Sequence, residues 1–160
     1  MDFGQIQELI NSLKSIIETN KIINIPGVGQ KDKIELKSSS YLFFVDLNRS
    51  GYKKPKCTFQ LREQQNKDFP LLRLDIIGRT HKNPAGDFPY ADMDIPCPHL
   101  HIAHPDYGTS IAYPLNDTYA KIVLTDKELN DLGKVLCSFL ERCNVGNINE
   151  YTINYQGSIF

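Results

Sequence analysis

The chain has 160 residues, 41% of them apolar and 23% charged, the make-up of one ordinary globular domain that buries a core without disulfide or metal support. Its net charge of −1 and pI near 6.4 exclude a protein that wraps long duplex DNA, which needs a strongly basic surface. No apolar run reaches the roughly 18 residues of a transmembrane helix, and the N-terminus lacks the basic and apolar segments of an export signal.

A cytoplasmic protein is therefore expected, with no membrane partner. In that compartment Cys57, Cys97, Cys137 and Cys143, which form no CxxC pair, read as reduced thiols.

The first element is an amphipathic helix. Phe3, Ile6, Leu9, Ile10, Leu13, Ile16 and Ile17 recur at three- and four-residue steps. Asp2 is its candidate N-cap, and the helix stops before the turn signal Ile25-Pro26-Gly27. Strand-like segments follow. Residues 33–37 alternate with Ile34 and Leu36 on one face, and residues 41–47 form a rich apolar run broken by Asn48-Arg49-Ser50-Gly51. Residues 57–62 alternate with Phe59 and Leu61 on one face. Residues 71–77 and 98–103 are two further runs, and 111–113 is a shorter one.

Thr125 and Glu128 make a capping box at the start of a second helix. Its apolar stripe is Leu129, Leu132, Val135, Leu136, Phe139 and Leu140, and residues 144–146 end it. Residues 151–156 predict a last edge strand. The fold class is α+β: a curved antiparallel sheet of five or six strands, with an N-terminal and a C-terminal helix packed on one face of a single domain spanning residues 1–160.

If the helices cover one face, the other is left for water or for a site. Side chains in a strand alternate with period two, so Arg73 and Asp75 lie opposite Leu72, Leu74 and Ile76. Gln60 and Arg62 lie opposite Phe59 and Leu61. His99 and His101 lie opposite Leu100 and Ile102, and Asp46 opposite Val45 and Leu47. Aligned registers gather all seven polar residues on one sheet face. A solvated antiparallel face is the plainer reading, but such faces tend to carry Lys, Glu and Thr rather than Arg, Asp, Gln and His. The turn-rich loop 78–87 adds His81 at the edge of that face.

Three chemistries fit these residue types. Metal-free cleavage of RNA needs a base, an acid and a cation for the phosphorane. His99, His101 and His81 supply imidazoles that titrate near neutrality, Arg73 the cation, and Asp75 an orienting carboxylate. Alternatively, His99 and His101 hold a divalent metal with a third ligand from His81, His104 or Asp106. A Cys97 nucleophile is disfavoured because Pro96 and Pro98 remove adjacent amide donors. Asn48, Arg49, Gln60, Arg62 and Asn83 are the candidate contacts to substrate or partner.

Residues 43–115 carry Asp46-Leu-Asn48-Arg49, Thr58-Phe-Gln60-Leu-Arg62, Leu72-Arg73-Leu-Asp75, His81-x-Asn83-Pro84-x-Gly86 and Pro98-His99-x-His101. In these segments the chain resembles an uncharacterised family of bacterial accessory-genome proteins with no assigned activity. The resemblance implies a prophage or mobile-element setting, and with it a toxin–antitoxin, phage-defence or anti-defence role. The leading expectation is a small effector acting on nucleic acid, a ribonuclease or phosphodiesterase using the His/Arg/Asp face, with RNA or a protein as partner. A non-catalytic inhibitor that docks on a host, defence or nuclease protein is the alternative, and a small His-liganded metal protein the third.

Overall fold

A computed structural model describes residues 1–49 and 56–155. The turn expected at 48–51 and the last residue of the expected 151–156 strand therefore lie partly outside the described residues. In chain order the elements are α1 (Phe3–Asn11), β1 (Ser15–Ile16), β2 (Ile22–Ile25), β3 (Lys31–Lys37), β4 (Leu42–Asn48), β5 (Cys57–Glu63), β6 (Leu72–Ile77), β7 (His81–Lys82), β8 (Asp94–Ile95), β9 (His99–Ile102), β10 (Ala112–Pro114), α2 (Asp126–Leu129), α3 (Leu132–Arg142) and β11 (Thr152–Tyr155). The main sheet has seven strands in the order β1-β3-β4-β5-β6-β9-β10, every neighbouring pair antiparallel. The α+β class with a helix near each end holds. The strand number exceeds the expected five or six because two-residue β1 joins the edge. No described helix is long and apolar enough to cross a membrane.

The core lies on one side of this sheet. Ile34, Leu36, Phe43, Val45, Leu47, Phe59, Leu61, Leu72, Leu74 and Leu100 are buried in one cluster with Ile6, Leu9 and Ile10 of α1 and Leu132, Val135, Leu136, Phe139 and Leu140 of α3. Burying this many large side chains, each worth about 1.5–3 kcal/mol, supplies the main driving force for folding. Both helices thus cover the same face, and the opposite face carries the alternating polar residues.

Helix α1 is shorter than the apolar spacing predicts. The Asp2–Gln5 capping box starts it as expected. It ends at Asn11 because Ser12 turns extended and its hydroxyl bonds back to the Leu9 carbonyl. Lys14 then completes the stop. Its Nζ donates to the carbonyls of Ile10, Ser12 and Cys143 at 2.8, 2.9 and 2.8 Å, so one buried ammonium caps the C-terminal ends of both α1 and α3, where a cation is favoured. Burial lowers its pKa to about 8, which leaves it charged at pH 7. Ile16 still reaches the core, but from a strand paired with Leu36.

The second predicted helix is two. The Thr125–Glu128 capping box is present, but Asp131 accepts from the Lys134 amide and caps a new helix. Residues 22–25, read as the end of a helix and its turn, instead form β2. This strand pairs in parallel with β11, and Gly29 at φ +87° closes the turn into β3 with a backbone that L side chains rarely adopt.

Candidate functional site

Strand register decides which polar residues meet. Lys33, Asp46, Gln60, Arg73 and His101 form one continuous row across β3, β4, β5, β6 and β9. Asn48, Thr58, Asp75 and His99 form the next row, and Phe44 pairs with Arg62 in the row flanking the first one, on the same sheet face. These rows place Asp46, Gln60, Arg62, Arg73, Asp75, His99 and His101 on a common face, as the two-residue alternation predicts.

That face divides into an open part and a covered part. The open part contains a cleft of about 310 Å³ lined by Asp46, Asn48, Lys56, Thr58, Gln60, Arg73 and Asp75. Arg62 forks onto Asp46, with Nε at 2.5 Å and Nη2 at 2.8 Å from its two carboxylate oxygens. Beside it, Lys33 Nζ, Lys67 Nζ and the Arg62 guanidinium lie 4.5, 5.5 and 5.6 Å from the centre of the Phe44 ring. This is cation–π distance. Among the described residues neither Lys33 nor Lys67 makes an ion pair.

The covered part holds the histidines. His99 and His101 are 1% and 0% exposed, because the chain between β6 and β9 and the 104–110 hairpin fold over them. The His81 ring lies 4.7 Å from that of His101 and 6.1 Å from that of His99, and its Nε2 donates to the Ser110 carbonyl. His101 Nδ1 is 2.7 Å from the Thr109 carbonyl, which requires a proton on that nitrogen and leaves Nε2 to accept from Arg73 Nη2 at 2.9 Å. This imidazole is neutral at pH 7. Burial lowers its pKa, outweighing the neighbouring Asp75 carboxylate, and Arg73 pushes the same way.

His99 is in the opposite condition. Its Nδ1 faces the carbonyls of Ile95 and Pro96 at 3.1 and 3.2 Å, and its Nε2 faces Asp75 Oδ2 at 3.0 Å. Acceptors on both sides call for an imidazolium. Burial opposes that charge, but the hydrogen bond to Asp75 and the nearby Cys97 sulfur prevail and raise its pKa to about 9. Asp75 is the hub. Burial works against its ionisation, yet the hydrogen bond from His99 and the charge of Arg73 hold its carboxyl far below the usual carboxylate range. Arg73 Nε and Nη2 meet its two oxygens at 3.0 and 3.3 Å.

Not every sequence candidate joins this face. Arg49 is buried on the opposite parity and donates to the Pro26 carbonyl. Asn83 is buried away from the cleft. Its Nδ2 donates to the carbonyls of Tyr90 and Ala112, and its Oδ1 accepts from the Ala112 amide, so it clips the β7–β8 excursion to β10. His104 and Asp106 bond each other in a separate hairpin, where the His104 ring packs on Phe3 and Tyr107. The third donor beside His99 and His101 is Asp75: one ligand atom from each of the three lies within 4.8 Å of the others. Cys97 lies 3.8 Å from His99 Nδ1 and forms no disulfide.

Phe44, Lys33, Lys56, Thr58 and Lys67 were missed from the sequence. The same alternation could have found Phe44, two residues from Asp46, but the run 41–47 reads as uniformly apolar. Lys67 lies outside any strand, and periodicity cannot place it.

No curated protein and no solved structure matches the chain. The covered and open halves of this face are both built from segments inside residues 3–145, the span matched by the model of a family of unknown function, DUF6978, and the chain belongs to that family.

Proposed function

We propose that the polar sheet face binds single-stranded nucleic acid, RNA foremost, and that the protein is a small nucleic-acid effector. The observation that carries this reading is the half-buried Phe44 ring ringed by Lys33, Arg62 and Lys67 at the side of a polar cleft holding Arg73 and Lys56. A base stacks on an aromatic ring whatever its identity, while flanking cations follow the phosphates. The strand–strand row from Lys33 to Arg73 gives the backbone a track, and Asn48 and Gln60 offer hydrogen bonds to base or sugar. An overall charge of −1 is compatible with this, since Lys33, Lys56 and Lys67 add positive charge beside the Arg62–Asp46 and Arg73–Asp75 pairs.

Ribonuclease or phosphodiesterase activity belongs to the proposal. Arg73 would stabilise the phosphorane, and half-buried His81 is the imidazole of the group nearest to solvent. The second reading is a binding protein without cleavage. The burial of His99 and His101 favours it, because neither imidazole touches a bound strand unless the cover opens. The toxin–antitoxin or phage-conflict setting implied by the sequence resemblance, and a cytoplasmic location, remain part of the same proposal.

The test is fluorescence anisotropy with a labelled single-stranded RNA of about 12 nucleotides, within the range one small domain covers. Wild type binds, and Phe44→Ala weakens binding roughly 5- to 100-fold, the loss of one base–aromatic stack. Absence of binding, or an unchanged affinity in Phe44→Ala, overturns the reading. The same strand run on a gel separates the two versions: cleavage by wild type but not by Arg73→Ala marks a ribonuclease, and an intact strand marks a binder.

A further inference from the structure

We propose that Asp75, His99 and His101 form a site for one divalent first-row metal ion of the zinc or ferrous class, with Arg73 as the side chain that stands in for the ion when none is bound. The donor set suits such an ion. Two imidazoles and one carboxylate, from the adjacent strands β6 and β9, are the ligands such ions take when positions are left open for water or substrate.

The distances suit an ion. Asp75 Oδ2 lies 3.0 Å from His99 Nε2 and 3.3 Å from His101 Nε2, and all three donors fall within 4.8 Å of one another. Ligands held about 2.1 Å from a common ion at angles of roughly 90–110° stand about 3.0–3.4 Å apart. Two of the three separations therefore already have the required size.

The outer contacts are those of metal-bound histidines. Each imidazole turns its Nδ1 to backbone carbonyls, His99 to Ile95 and Pro96 and His101 to Thr109. Such bonds fix Nε2 as the donor atom and aim the ring. In both residues it is Nε2 that converges on the same carboxylate oxygen.

Without an ion, that convergence needs another positive filling. It is supplied by a proton between His99 and Asp75 and by the Arg73 guanidinium against His101 Nε2 and both Asp75 oxygens. A divalent ion replaces both: the proton leaves to solvent, and Arg73, whose side chain is 32% exposed, swings into the cleft. The site then sits at the cleft floor beneath the proposed nucleic-acid track, but it does not depend on that track. RNA binding through Phe44 stands or falls separately.

The test is calorimetric titration of untagged, chelator-treated protein with Zn²⁺, backed by Co²⁺ visible absorption. One ion per chain is expected. His101→Gln and Asp75→Asn weaken binding by about 100-fold or more, and Arg73→Ala strengthens it by about tenfold by removing the competing cation. Where a ligand variant fails to fold, X-ray absorption of zinc-loaded wild type serves instead, and two imidazoles on the ion are expected. Absence of saturable binding in both wild type and Arg73→Ala overturns the proposal, as does a bound ion without imidazole ligation. An affinity unchanged in a folded His101→Gln variant does the same.

Discussion

The two halves of the polar sheet face start from the same two-residue alternation and end in opposite environments. Around Phe44, Asp46 and Arg62 the side chains meet water, and their ion pair is only partly screened from it. Around His99 and His101 the equivalent positions on the next strands are closed over by the excursion from β6 to β9, and Asp75 stands at the border between the two halves. The strands are built alike, and what differs is the connection between them. An open face can exchange ligands directly, whereas a covered one fixes protonation states and positions groups for a neighbour.

The contrast should be largest in stability. Asp75→Ala leaves the His99 imidazolium buried and Arg73 without its carboxylate, and a loss of about 3–5 kcal/mol is expected in urea unfolding of metal-free protein. A loss below about 1 kcal/mol would mean that water reaches this cluster after all.

Asn83→Ala comes next. It removes three bonds to backbone groups, two of them buried, at an expected cost of about 2–3 kcal/mol. Faster amide exchange should be confined to the β7–β8 excursion and β10; loosening spread evenly over the sheet would contradict the clip assigned to it.

Lys14 is a buried charge on the other side of the sheet and gives a pH-dependent control. Its pKa is lowered to about 8, whereas an unfolded lysine titrates near 10.4. Between those values the unfolded chain binds more protons, so the Lys14 contribution becomes more favourable as pH rises. Against Lys14→Met, wild type should gain about 1 kcal/mol in relative stability from pH 7 to 9. A flat difference would show that the three carbonyls offset the burial entirely.

The smallest effect belongs to the open half. Arg62→Ala breaks a solvent-accessible pair and should cost under about 1 kcal/mol, while its effect on RNA affinity is measurable.

These regions also show what the sequence makes legible. Alternation alone placed His99 with His101 and Arg73 with Asp75, because a strand offers only two faces. It could not show that Asp75 lies opposite His99 rather than His101, since that register depends on the path of the long connection between β6 and β9. Nor could it show that residues 78–98 would bury the histidines, because loop path is set by tertiary contacts such as the Asn83 clip. Ile16 and Ile17 extended the helical pattern on paper, yet Ser12 and Lys14 end α1 through hydrogen bonds that periodicity does not register.

The central claim is that the open half of this face is the recognition surface. Amide chemical-shift mapping of the ¹⁵N-labelled chain with a short single-stranded RNA tests it most directly. The expected result is a contiguous set of shifts at Lys33, Phe44, Gln60, Arg62 and Arg73, with α1 and α3 unaffected. Shifts centred on those helices, or none at saturating RNA, would contradict it.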